Sequence, residues 1–197
     1  MFTKTLIRPF ALAVLLATAA SASQAHPGHG TEGLAAGLAH PFMGMDHLLA
    51  MVAVGLWSTA ALPEGRRHLG PVVFMASLLV GATLALAGWE LPMVEAGVAA
   101  SVLLLAALML GARRIPSAIG LTMVALAALL HGHAHGSELA AGHSFGAYAA
   151  GFLATSALLH GIGLAAGRAL HRLPGWVWRA AAALMASGGV LMLAGRL

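Results

Sequence analysis

Histidine and carboxylate side chains carry the chemistry available to this chain. It holds 11 histidines against six acids and no cysteine, and Asp46 is its sole aspartate. Without thiolates there is no disulfide framework and no sulfur nucleophile, and any metal must be held by nitrogen and oxygen. The densest run is His40-Pro41-Phe42-Met43-Gly44-Met45-Asp46-His47, with Met51 following. Imidazole and carboxylate suit first-row divalent ions such as Ni²⁺, Co²⁺ and Zn²⁺. Seven residues separate His40 from His47, which places them on one helix face but about 10 Å apart in an unbroken helix. One ion cannot bridge that gap. Either Pro41 and Gly44 break the helix, or the two histidines are successive stations on a path; broken helices at ion sites are a known transporter device.

A second run is His131-Gly132-His133-Ala134-His135-Gly136-Ser137-Glu138. His131 and His135 stand i,i+4 and share a face, Glu138 continues that face, and His133 points away from it. His160 lies alone, deep in a long apolar segment, where a bond to a neighbouring helix competes with ligation. His26 and His29, in His26-Pro27-Gly28-His29, read as a capture tail that matters at low metal or as an exposed stub. Glu90, in Gly88-Trp89-Glu90-Leu91-Pro92, reads as an attracting acid beside an interfacial tryptophan. His143 is expected in an outer loop, and His68 and His171 beside arginines as solvated residues.

The elements that position these groups are apolar helices. Hydrophobic residues make up 60% of the 197 and charged residues 8%, with mean hydropathy +0.90. A soluble domain carries roughly 25% charged residues. That excludes a soluble enzyme, a nucleic-acid binder and a disordered tail, and the pI near 11.2 reports membrane topology rather than a basic patch. Residues 1–25 have a basic start (Lys4, Arg8), a short apolar stretch and small residues at Ser23 and Ala25, which predicts a signal peptide cleaved before His26. Residues 26–197 form one membrane domain, an all-α bundle with about six spans, placed at 35–62, 69–88, 93–112, 116–134, 144–168 and 175–195. Gly33-x3-Gly37, Gly142-x3-Gly146 and Gly163-x3-Gly167 predict close helix contacts. Arg66 and Arg67, Arg113 and Arg114, and Arg168, Arg172 and Arg179 fall in alternate connections, while Glu90, Glu95 and Glu138 fall in the others. The positive-inside rule then places both mature termini on the periplasmic side of a bacterial cytoplasmic membrane, with Arg196 the one arginine on that side.

The stretch His40-x5-Asp46-His47-x3-Met51, followed by Val54-Gly55-Leu56-Trp57, resembles the signature of the HupE/UreJ family. The His131–Glu138 run and His160-Gly161 with Gly163 and Gly167 are similar to that family's fourth and fifth segments. The resemblance spans essentially the whole mature chain. It implies a hydrogenase or urease accessory membrane protein that imports nickel, with His40, Asp46 and His47 matching the first motif, His131, His135 and Glu138 the second, and Glu90 an outer-loop acid of the family.

The reading is a divalent-metal permease with Ni²⁺ as transported substrate and Co²⁺ or Zn²⁺ as alternatives. No permanently bound cofactor is expected. Its partners are the ion and the lipid bilayer, with self-association into a homo-oligomer left open. The chain has no nucleotide-binding Gly-x4-Gly-Lys-Ser/Thr loop, and neither nucleotide nor nucleic acid is a partner. The ion is captured by His131, His135 and Glu138, helped by His26 and His29, and passes His40, Asp46 and His47 and then His160. Asp46, in low dielectric, is expected to ionise as a cation approaches. The rival is an intramembrane zinc hydrolase built from His40, Asp46, His131, His135 and His160 with Ser156 or Ser137 assisting; a haem protein with axial histidines ranks third. A hydrolase gathers about three ligands within about 2 Å of one ion, whereas a permease strings stations along an axis.

Overall fold

The structure, a computed structural model, describes residues 32–137 and 144–196. The signal segment at 1–25, His26, His29, Glu138 and His143 lie outside the described residues. Every described element is helical. The order is α1 (Glu32–Met43), α2 (Met45–Ala61), α3 (Leu69–Leu86), α4 (Val94–Gly111), α5 (Ser117–Ser137), α6 (Phe145–Leu170) and α7 (Gly175–Ala194). Helices that are apolar on every side belong in a core or in lipid. Five of these, α3 to α7, are long and apolar enough to cross a membrane, and α1 with α2 makes a sixth if the bent pair counts as one span.

The expected segment at 35–62 is a broken helix rather than a continuous one. The axes of α1 and α2 meet at 80°. Hydropathy cannot register this break, because the sequence on both sides is equally apolar. The cause is local: Gly44 is extended (φ −108°, ψ 118°) and is followed by Asp46 in the first turn of α2. A Cβ on Gly44 would stand 2.7 Å from Asp46 Oδ1 and 2.8 Å from His47 Nδ1, so the missing side chain leaves room for that pair to fold back over the break. The other five helices lie within three residues of their expected limits. The largest difference is α5, which runs to Ser137 and therefore keeps both His131 and His135 helical.

Burial ranks the helices from centre to edge. Eleven of the 17 residues of α2 are buried, against three of 20 in α7, so α2 is the central strut and α7 lies at the rim. α3 packs on α5, α6 on both α1 and α2, and α7 on α4. Glycine sets how closely two of these pairs approach. A Cβ on Gly163 of α6 would meet the Val52 carbonyl of α2, and one on Gly132 of α5 would meet the Leu78 carbonyl of α3. Gly33 and Gly37 similarly face Ala147 and Tyr148 of α6, as their spacing predicts. Side-chain packing between helices is what holds such a bundle together in lipid, where apolar burial offers little driving force.

Candidate metal centre

Four helix ends converge opposite the arginine-bearing connections. They are the end of α1 with His40, the start of α2 with Asp46 and His47, the last turns of α5 with His131 and His135, and the first half of α6 with Tyr148 and Phe152. The break at Gly44 turns the His40 and His47 rings toward one another, with centroids 5.7 Å apart. His135 lies 4.4 Å from each of them, and His131 lies 4.7 Å from His47. One ring nitrogen from each of His40, His47 and His135 falls within 4.8 Å of the others. Metal–nitrogen bonds of about 2.1 Å need nitrogens about 3.4 Å apart in a tetrahedral shell, so a contraction of roughly an ångström closes the trio on one ion. Of the two alternatives for His40 and His47, the broken helix is the one observed, and it brings the two rings side by side.

Hydrogen bonds fix which nitrogen of several rings faces the centre. His47 Nδ1 donates to Asp46 Oδ1 at 2.6 Å, and that oxygen also accepts the His47 backbone N–H at 2.7 Å. Nε2 of His47 is left buried with no partner. This is the carboxylate–histidine pairing that orients metal ligands and raises their basicity. The Ser101 hydroxyl gives its proton to the Val98 carbonyl at 2.7 Å, so it accepts from His131 Nε2–H at 2.9 Å. His131 Nδ1 therefore presents a bare lone pair, and the residue is 0% exposed. His135 is also 0% exposed, stacked 5.0 Å from Phe152, and neither of its ring nitrogens has a partner. Buried polar atoms are ordinarily satisfied, the more so where no water competes. Buried acceptor nitrogens gathered within one ion's reach suit a cation.

The remaining expected residues are placed differently. His160 is 1% exposed and donates Nδ1–H to the Ser156 carbonyl at 2.6 Å, which leaves Nε2 without a partner. It is not one of the gathered trio, and the buried Phe74 ring contacts both it, at 5.0 Å, and His131, at 5.9 Å. The residues are thus neither all gathered nor all strung out. His133 turns away as its position predicts and donates Nε2–H to the Trp89 carbonyl at 2.6 Å. Glu90 is exposed on the connection between α3 and α4, and no described contact ties it to the cluster. Met43 and Met45 are exposed, and Met51 is buried in the hydrophobic core. The hydroxyls of Ser137 and Ser156 are bonded to carbonyls of their own helices.

Several participants carry no sequence signal of the usual kind. Ser101 is one serine in an alanine- and leucine-rich helix, and Phe74 and Phe152 look like ordinary core residues. Tyr148, 5.7 Å from His40, is the chain's single tyrosine, which is the only cue to it. Arg196 is the largest surprise. Its Nη2 lies 2.6 Å from Asp46 Oδ2 and 3.3 Å from Glu95 Oε2, and its Nη1 donates to the Glu95 carbonyl at 2.8 Å. Asp46 is thus paired already, and the lone acid waiting for an ion is not what the structure contains.

The comparisons agree with this arrangement. The profile of the family described as HupE / UreJ protein matches residues 13–192. Protein HupE of Rhizobium leguminosarum bv. viciae is 40% identical over 177 residues, covering 89% of this chain and 92% of its own length. No solved structure matches. With a histidine-lined centre inside a bundle of membrane-length helices and a family match over nearly its whole length, the chain belongs to the HupE/UreJ family.

Proposed function

We propose that the protein is a nickel permease of a bacterial cytoplasmic membrane, supplying a nickel enzyme such as hydrogenase or urease. The observation that carries this reading is the trio His40, His47 and His135, drawn from three helices and aimed at one point inside an apolar bundle. His131 flanks it, Asp46 orients His47, and the trio binds the ion by exchanging its water shell for imidazole nitrogen. Co²⁺ and Zn²⁺ suit the same donors. Passage requires release as well as capture, so a second, weaker station is needed. His160 supplies one lone pair beyond Phe74, and movement of that ring opens the way between them. Glu138, His26 and His29 are the capture groups of this scheme, and Glu90 an attracting acid on the same side.

In this reading the arginine-rich connections face the cytoplasm and the histidine centre opens to the periplasm, with both mature termini on that side. Reporter fusions after Arg67, Arg114 and Arg172 then report cytoplasm; a periplasmic signal from any of the three contradicts the layout. The function is tested by radiolabelled nickel uptake in cells lacking their own importers. Saturable uptake is expected from the native chain, and its loss from His40→Ala at an unchanged amount of protein in the membrane.

A zinc-dependent intramembrane hydrolase remains the second reading, because a gathered histidine trio is also what a catalytic zinc needs. That reading predicts no saturable uptake at any pH, which separates it from the permease.

A further inference from the structure

Arg196 occupies a place that a permease for cations would be expected to keep clear. The residue lies just past the end of α7, after Gly195, which caps that helix. Its guanidinium bridges two carboxylates on different helices: Asp46 at the start of α2 and Glu95 in the first turn of α4. The two acids are not equivalent. The Asp46 side chain is 3% exposed and that of Glu95 is 53% exposed, so only Asp46 depends on a protein cation for its neutralisation. Oδ1 of Asp46 is committed to His47, and Arg196 takes Oδ2. The guanidinium is thus one carboxylate away from a metal ligand.

Charge decides what happens when a divalent ion enters. Two carboxylates and one guanidinium carry one net negative charge, which the half-exposed Glu95 shares with solvent. An ion added with Arg196 in place makes the buried centre net positive. An ion added with Arg196 withdrawn leaves one positive charge fewer, and brings the centre to neutrality to the extent that Glu95 contributes its charge. A low-dielectric site favours the neutral arrangement. Withdrawal is mechanically simple: the Arg196 side chain is 28% exposed, and it hangs from a helix end at the rim rather than from the core.

We propose that Arg196 is a tethered counter-cation that neutralises Asp46 while the centre is empty and is displaced from it by the incoming divalent ion. The proposal deepens the permease reading and rests on it for the identity of the ion. Displacement means that every binding event breaks a charge-assisted hydrogen bond, so Arg196 weakens binding and keeps the ion releasable. It also means that Arg196 acts through Asp46 rather than on the metal.

The test measures nickel binding to the purified full-length protein by equilibrium dialysis, alongside uptake in cells, for Arg196→Gln and Arg196→Lys. Arg196→Gln is expected to bind nickel about tenfold more tightly or better, the bond to be broken being gone, with a lower maximal uptake rate because release slows. Arg196→Lys, which keeps the charge, is expected to return affinity to within about threefold of native, a rescue that a purely packing role would not give. Unchanged affinity in Arg196→Gln overturns the proposal and leaves the permease intact. Weaker binding in both variants also overturns it, since Arg196 would then be holding Asp46 in place for the metal. A native chain that binds nickel with the expected variant pattern but takes up none removes the permease reading and keeps the counter-cation. A native chain that binds no nickel removes both.

Discussion

The two ends of the bundle treat their polar side chains in opposite ways. At the arginine-bearing end most hydroxyls and rings are satisfied: Ser58 donates to the Val54 carbonyl, Ser117 to that of Ala61, and Trp178 to that of Met109, while His171 bonds Thr59 and stacks on Trp178. The buried nitrogens without partners there, Trp57 Nε1 and Arg67 Nε, are donors. At the histidine end the partnerless atoms include acceptor lone pairs, on His47 and His131, with His160 the same at greater depth. Donors without partners cannot hold a cation, and acceptors can. One end therefore builds the scaffold, and the other leaves bonds for a metal to complete.

The sharpest way to break this comparison is to remove the converging nitrogens. His47→Ala, His135→Ala and His40→Ala are each expected to abolish at least about 90% of nickel uptake with protein still in the membrane, because two imidazoles hold a hydrated ion poorly. An effect as large from His133→Ala, whose ring is bonded to the Trp89 carbonyl, would mean that histidine content matters and convergence does not.

Next in size is the support behind the ligands. Asp46→Asn and Gly44→Ala are expected to weaken nickel binding about 10- to 100-fold, the usual range for losing a partner that orients a ligand. The first replaces the charged carboxylate that orients the His47 ring with a neutral amide, a weaker acceptor, and the second puts a methyl group against both partners. Equilibrium dialysis on purified protein reads this directly.

Acidification acts on the same atoms. A histidine must be neutral to ligate, and imidazole in water titrates near pH 6.5. Acid favours the protonated rings, so apparent nickel affinity should fall in a binding titration carried down through the acid range. Affinity that stays constant across the whole acid range would show that no protonatable ligand holds the ion. The smallest effect expected is at depth: His160→Ala should lower the maximal uptake rate several-fold and leave the dissociation constant within about twofold, since its ring is not among the three gathered ones.

These contrasts also show what was legible beforehand. Helix number and limits follow from apolar runs and the residues that interrupt them, which is why five helices fall within three residues of expectation. The i,i+4 pair His131 and His135 follows from helical periodicity alone. The break at Gly44 was foreseeable only as one of two ways to reconcile a seven-residue spacing with one ion, because hydropathy is blind to an extended residue inside an apolar stretch. The pairing of Arg196 with Asp46 joins residues 150 positions apart, and no local pattern predicts such a contact. The arginine is visible in the sequence only as the exception to a charge asymmetry, which assigns it no role. Which nitrogen each ring exposes depends on Ser101, Ser156 and Asp46 in three dimensions, and no spacing encodes it.

The central claim is that the lone pairs of His40, His47 and His135 meet on one ion. X-ray absorption spectroscopy of the nickel-loaded protein tests it most directly. Three imidazole nitrogens at about 2.1 Å are expected in the native chain, falling to two in His135→Ala. A shell made of oxygen alone, or one that His135→Ala leaves unchanged, would contradict the account.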